Sequence, residues 1–343
     1  MARLHPLRNV LAILAIALAV AVAVCFLPEN SYQRWQLLKG TFQGNAVWMY
    51  ERIHFDPRPI DVVFIGPSRT DRGVDPERLQ HDLAALGAGG GKPVRVVNFA
   101  LPQGGRNVND VIFEELLEAK SPRLVVIGVI EKPSRLGHPA FKYIAPRGMI
   151  VRPGYAGNLN YLQDLIYLPY RQMQLFAADV APGMAGLTKT FDARAYKPDQ
   201  VQPKVIEIFD GTMRSATQPA TEAELEQGVY KLEAGTRPPI LPDRFADIEF
   251  GDERYFIRRI AAAAKRKGVR VAFLFIPYYS GPDKVLEEGF YSQFGPVWSA
   301  GYLAPRADLY SDYAHLTVDG AGVLTDWLAP QVAKLLPEPE PAR

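Results

Sequence analysis

The chain has one cysteine, Cys25, among its 343 residues. A single thiol excludes a disulfide or a cysteine-built metal site within one chain. Histidine is scarce too, limited to His5, His54, His81, His138 and His315. None of these pairs at a His-x-x-x-His or similar ligand spacing, so the sequence calls for no metal and no cofactor. A charge excess of either sign is missing, with Lys+Arg 39 against Asp+Glu 37. A nucleic-acid partner would need a basic face, and none is expected here. No internal repeat is visible.

What is present begins with residues 10–27, VLAILAIALAVAVAVCFL, which carry no charge. A helix of that length measures about 27 Å, close to the roughly 30 Å hydrocarbon layer of a bilayer. Arg3 and Arg8 precede it, which keeps residues 1–9 as a cytoplasmic stub and sends the rest of the chain across. The expected location is an inner membrane, single-pass, with the globular part periplasmic or otherwise extracytoplasmic. A cleaved signal peptide is the rival, with Ala21-Val22-Ala23 as its small-residue site. The length of the run favours a retained anchor. Cleavage before Cys25, as in a lipoprotein, is disfavoured by Val24.

Residues 28–60 read as an aromatic-rich linker containing Trp35, Phe42, Trp48, Tyr50 and Phe55, expected to pack against the domain or the membrane surface. A βα alternation follows. Strands are expected at Asp61–Gly66, Val94–Phe99, Arg123–Val129 and Val269–Ile276, with a short last strand at Asp308–Tyr310. Helices are expected at Asp75–Leu86, Asn107–Ala119, Glu253–Lys267 and Thr317–Leu336. The strands are continuously apolar and valine-rich, as strands covered on both faces are. Residues 133–250 break the pattern and read as an insertion, with helices at Asn158–Ala178, kinked near Pro169, and Glu222–Leu232. The globular domain is thus 61–336, followed by a tail at 337–343.

In a sheet wound this way, the C-terminal ends of all strands share one edge. Ser68 follows the first strand in DVVFIGPSRTDR, and Gly104, Gly105 and Asn107 follow the second. Glu131 follows the third, and His315, three residues after Asp312, precedes the last helix. A serine hydroxyl becomes a useful nucleophile when a base takes its proton, and a carboxylate can fix the tautomer of that base. Ser68, His315 and Asp312 supply those three residue types. The N–H groups of Ser68, Gly104 and Gly105, with the Asn107 side chain, are candidate donors to an oxyanion. Arg69, Arg106 and His138 flank the rim as candidate substrate-binding groups, and His138 is a competing base. The tyrosines around Tyr161, Tyr167 and Tyr170 suit a lid, a glycan groove or a membrane surface.

Serine after strand one, a glycine loop after strand two and Asp-x-x-His before the last helix together resemble the SGNH (GDSL-like) hydrolase superfamily. The Ser-Arg form of the first block, the anchor and the insertion look like its membrane-anchored branch, which includes DltD and the alginate O-acetylation proteins. The resemblance covers about 61–132 and 252–336. It implies a flavodoxin-like α/β/α sandwich with a parallel sheet. It also implies an esterase or O-acyltransferase, with acetyl the expected group, acting on a cell-envelope or exported glycan through an acyl-serine. An acyl donor and a multispanning acyl-exporting protein are the implied partners. One block departs: the usual Gly-x-Asn-Asp is Gly128-Val129-Ile130-Glu131 here, so the family's oxyanion asparagine is absent at that place. The alternative is a non-catalytic glycan- or anion-binding scaffold built on the Gly66–Thr70 loop. An α/β-hydrolase fits less well, because Thr70 stands where Gly-x-Ser-x-Gly needs its last glycine.

Overall fold

A computed structural model of the chain describes residues 4–152, 158, 160–181, 186–200, 204–207, 213–236 and 238–336. Its centre is a five-stranded parallel sheet built from β1 (Val62–Ile65), β2 (Val96–Asn98), β3 (Leu124–Val129), β6 (Arg270–Phe275) and β7 (Val297–Ser299). Two further strands, β4 (Val205–Glu207) and β5 (Met213–Ser215), form an antiparallel pair in the insertion. The large sheet runs β2-β1-β3-β6-β7. Renumbered within the sheet this is 2-1-3-4-5, the doubly wound order with its switch point at the edge between the first and third strands.

Alternation sorts each strand's side chains to two faces. Val63, Ile65, Val125, Ile127, Phe273 and Phe275 face one core, shared with the helices Arg106–Ala119 and Gly251–Lys267. Val62, Phe64, Leu124, Val126, Ala272 and Leu274 face the other, under the helices Pro76–Ala85 and Val318–Leu335. The helix ends follow local chemistry. Asp75 accepts from the N–H groups of Glu77 and Arg78 ahead of Pro76, and Thr317 accepts from Gly320. Gly268, at φ 69°, closes the Gly251–Lys267 helix in the left-handed conformation that costs glycine little.

Two expectations are corrected. Asp308–Tyr310 is a 3-10 turn (Ala307–Leu309) followed by a single bridge from Tyr310 to Leu316, not a sheet strand. The fifth strand is β7, in a stretch where no strand was expected. With three residues it is too short to show a periodic signal. Residues 28–60 are also more than a linker. They form the helices Ser31–Gln36 and Asn45–His54, and Trp35, Met49 and Ile53 are fully buried in the first core.

The insertion carries a continuous helix, Tyr161–Val180, through Pro169, and a helix Glu222–Gly235 started by a Thr221–Glu224 capping box. Leu225 of the latter is buried in the second core. The N-terminal helix Leu4–Val24 projects from the domain, and its stretch Leu7–Val24 is long and apolar enough to cross a membrane.

Candidate active site

β1 ends at Gly66, and Ser68 is the first residue of the short helix Ser68–Gly73. That helix lies tight on the sheet. A Cβ at Gly66 or Gly128 would collide with the Thr70 hydroxyl, so both glycines are fixed by close approach. Asn98, at the end of β2, donates through Nδ2 to the carbonyls of Thr70, Asp71 and Val74. The Pro67 carbonyl accepts from the N–H groups of Thr70 and Asp71. The N–H of Ser68 has no protein acceptor among the described residues.

The tail loop arrives on the same edge. Its Tyr310–Leu316 bridge closes a tight turn in which Ser311 N–H donates to the His315 carbonyl at 2.9 Å. Asp312 Oδ1 accepts from the N–H groups of Ala314 at 2.8 Å and His315 at 2.9 Å. The same carboxylate lies 2.8 Å from His315 Nδ1 through Oδ2. On the far side of the ring, Nε2 is 2.7 Å from Ser68 Oγ. Burial pushes the Asp312 carboxyl up, but the His315 imidazole and the two backbone donors outweigh it and hold the group down at about 2. The arrangement is an ionised acceptor, an imidazole with Nδ1–H toward it, and Nε2 free to take the hydroxyl proton.

The loop after β2 runs beside Ser68, since Leu101 N–H donates to the Gly66 carbonyl at 3.0 Å. Gln103 is a non-glycine residue at φ 83°, and its side chain accepts from Gln43 Nε2 at 3.0 Å. Gly105 has φ 129°, and a Cβ there would strike the backbone of His138. Gly104 faces open space apart from Ser134. The N–H groups of Gly104 and Gly105 have no acceptor among the described residues.

Four expected site residues lie elsewhere than expected. Arg69 is nearly buried, pairs with Glu131 at 2.6 Å, donates to the Ile276 carbonyl and stacks over Tyr278. Arg106 and Glu253 form an ion pair at 2.9 Å with both side chains buried. His138 is buried, with Nε2 donating to the Pro102 carbonyl at 2.8 Å and Nδ1 accepting from Ala140 N–H at 3.1 Å. That pair of bonds fixes its neutral tautomer, and burial pulls it down to about 4. His138 therefore sits beneath the rim and supports the glycine loop. Asn107 is buried, and its Oδ1 accepts from His138 N–H at 2.7 Å. Its Nδ2 faces Gly137 and not a solvent-facing cavity. The physical reason is common to all four: each was placed on the rim by topology, and side-chain direction took it inward.

Glu131 lies after the third strand as the sequence places it, but its pairing with Arg69 across the space between β1 and β3 left no sequence signal. Other residues that shape the site were missed. Asn98 and Gly128 interrupt valine-rich strands, which is the signal that could have marked them. Gln43 and Tyr278 left no sequence signal.

A cleft of about 410 Å³ opens one helical turn from Ser68, between Asp71, Arg72, Pro102, Trp48, Phe42 and Lys197. The insertion borders the other side. Gly228 packs on the Tyr313 ring, and Tyr278 donates to Glu233 at 3.2 Å.

Fold and site together define an open, doubly wound α/β protein with a hydrogen-bonded Ser-His-Asp chain at the C-terminal edge of its sheet. No protein-family model matches the chain, and no curated protein is similar to it.

Proposed function

We propose that this protein is a membrane-anchored, SGNH-like esterase or O-acyltransferase that acts through Ser68, His315 and Asp312 on O-acyl groups of a cell-envelope or exported glycan. The observation that carries the reading is the unbroken hydrogen-bond chain Ser68–His315–Asp312. A scaffold that merely bound an anion at the first loop would have no use for the imidazole and carboxylate.

The chemistry follows from the geometry. His315 Nε2 removes the Ser68 proton as Oγ bonds to the ester carbonyl carbon, and Asp312 stabilises the imidazolium. The carbonyl oxygen takes the negative charge. The N–H groups of Ser68 and Gly104 are the donors assigned to it, each worth about 3 kcal/mol in such sites. Collapse expels the alcohol, which receives its proton from His315, and leaves acyl-Ser68. Water or a sugar hydroxyl then attacks with His315 again as base, releasing acid or acylated product and restoring Ser68. Acetyl is the expected group. Trp48 and Phe42 in the cleft offer apolar faces for a sugar ring beside polar neighbours. The apolar N-terminal helix supports a single-pass anchor, with the domain on the extracytoplasmic side.

The test uses the full chain in detergent, an activated acetyl ester and a fluorophosphonate probe. The wild type is expected to turn over the ester and to be labelled once, and Ser68→Ala to lose both. Labelling that persists in Ser68→Ala would refute the assignment of the nucleophile.

A further inference from the structure

The helix Tyr161–Val180 is amphipathic in the reverse sense. Its exposed positions are Leu162, Gln163, Ile166, Tyr170, Met173, Ala177 and Val180, spaced along one face, and none is charged. Ile166 is 77% exposed and Leu162 68%. Three polar side chains point inward: Asp164, Arg171 and Gln172 are buried. A helix facing water shows the opposite pattern.

Its neighbours explain the inversion. Buried Arg171 donates to Glu29 at 3.0 Å and to the Ala145 carbonyl at 2.7 Å. Gln172 donates to the Leu27 carbonyl at 3.3 Å, and Arg147 to the Cys25 carbonyl at 3.2 Å. The helix therefore grips the chain where the apolar N-terminal helix ends, and the two helices are in contact there. The last turn of that N-terminal helix, around Ala21, Val24 and Cys25, is partly covered, and residues 7–20 are exposed. Phe26, 70% exposed, lies under the Arg147 guanidinium. Lys142 sits over the rings of Tyr143 and Tyr167. Tyrosine with lysine and arginine at the end of a spanning helix is the composition of a membrane–water interface.

We infer that the Leu162–Ile166–Tyr170–Met173–Val180 face is a lipid-binding surface, seated in the bilayer interface beside the anchor. This rests on the anchor proposed above and adds a second attachment, which fixes how the domain stands on the membrane. Such helices bury their apolar face about 5–10 Å into the headgroup–acyl boundary.

The experiment places full-length protein, with Cys25→Ser, in nanodiscs of phosphatidylethanolamine and phosphatidylglycerol. Single cysteines at Leu14→Cys, Ile166→Cys and His81→Cys each carry an environment-sensitive fluorophore. His81 is on the opposite layer, with its side chain 84% exposed. Doxyl-labelled lipid is expected to remove about half or more of the signal at positions 14 and 166 and little at 81, as an interfacial depth requires. Lipid quenching at 14 with iodide quenching at 166 would overturn the inference and leave the anchor standing. Shielding of 166 from both quenchers would overturn it in favour of a protein cover, either a partner or a second copy. No lipid quenching at 14 would overturn the anchor and the inference together.

Discussion

Ser68 and His315 lie 247 residues apart in the chain and meet with 2.7 Å between Oγ and Nε2. Three features hold them there: Thr70 locked against Gly66 and Gly128, Asn98 bracing the end of the Ser68 helix, and the Asp312 turn fixing the imidazole.

Asp312→Asn should keep the fold and lose the chemistry. Asn retains an oxygen for the N–H groups of Ala314 and His315 but gives up the charge that holds the carboxyl low, so stability near neutral pH should fall by about 2 kcal/mol. Its amide would present a donor to Nδ1 and favour the wrong tautomer, and kcat should fall by about four orders of magnitude. The wild-type carboxyl is depressed to about 2 from an ordinary 3.8. Its contribution to stability is therefore full above the ordinary value and is lost as pH falls through about 2. Ester turnover and thermal melting of the variant check both statements.

The Arg69–Glu131 pair, at 2.6 Å, joins the residue after the candidate nucleophile to the altered third block. Glu131→Gln leaves a nearly buried guanidinium without its counter-charge and should cost on the order of 3 kcal/mol. Arg69→Met with Glu131→Gln should recover much of that loss. A double-mutant cycle by denaturant unfolding measures the coupling, and additive losses would show that the pair is not coupled.

Two buried groups should tilt stability in opposite directions with pH. His138 is lowered from 6.5 to about 4, so the unfolded chain takes its proton first and stability is lost as pH falls between those values. The loss is on the order of 3 kcal/mol. His138→Phe leaves the Pro102 carbonyl and the Ala140 N–H unpaired and should be less stable at neutral pH, with the gap narrowing toward pH 4. Asp252 is raised from 3.8 to about 8 by burial, with Glu253 and Asp164 adding to it. The unfolded chain ionises it first, so its contribution is full below 3.8 and is lost as pH rises through about 8. Asp252→Asn should gain on the wild type between pH 5 and pH 8 by on the order of 3 kcal/mol. Unfolding curves across this range test both.

Much of the frame was legible before any coordinates. The valine-rich runs became β1, β2, β3 and β6 because strands covered on both faces are apolar throughout. Asp75-Pro76 and Thr317 marked helix starts because capping is local chemistry. The edge that carries Ser68 and the Gly104 loop followed from winding, since a parallel sheet collects its strand ends on one side, whereas His315 reaches that edge from the turn closed by the Tyr310–Leu316 bridge and not from a strand end. β7 was not legible, because three residues show no period. The two helices within residues 28–60 were not legible because their aromatic and polar positions have no clean pattern, although the segment packs on the domain as expected, with Trp35, Met49 and Ile53 buried.

The sequence by itself determined the alternation of elements, the apolar N-terminal helix and the residue types gathered on one rim, because each of these depends on local order or on chain direction. Only the tertiary structure decided which rim residues stay beside Ser68 and which turn away from it. Arg69, Arg106, Asn107 and His138 share the edge with Ser68 but turn inward to Glu131, Glu253, the His138 backbone and Pro102. Those partners are brought near by packing between distant segments, and a buried polar group goes to whatever partner packing supplies.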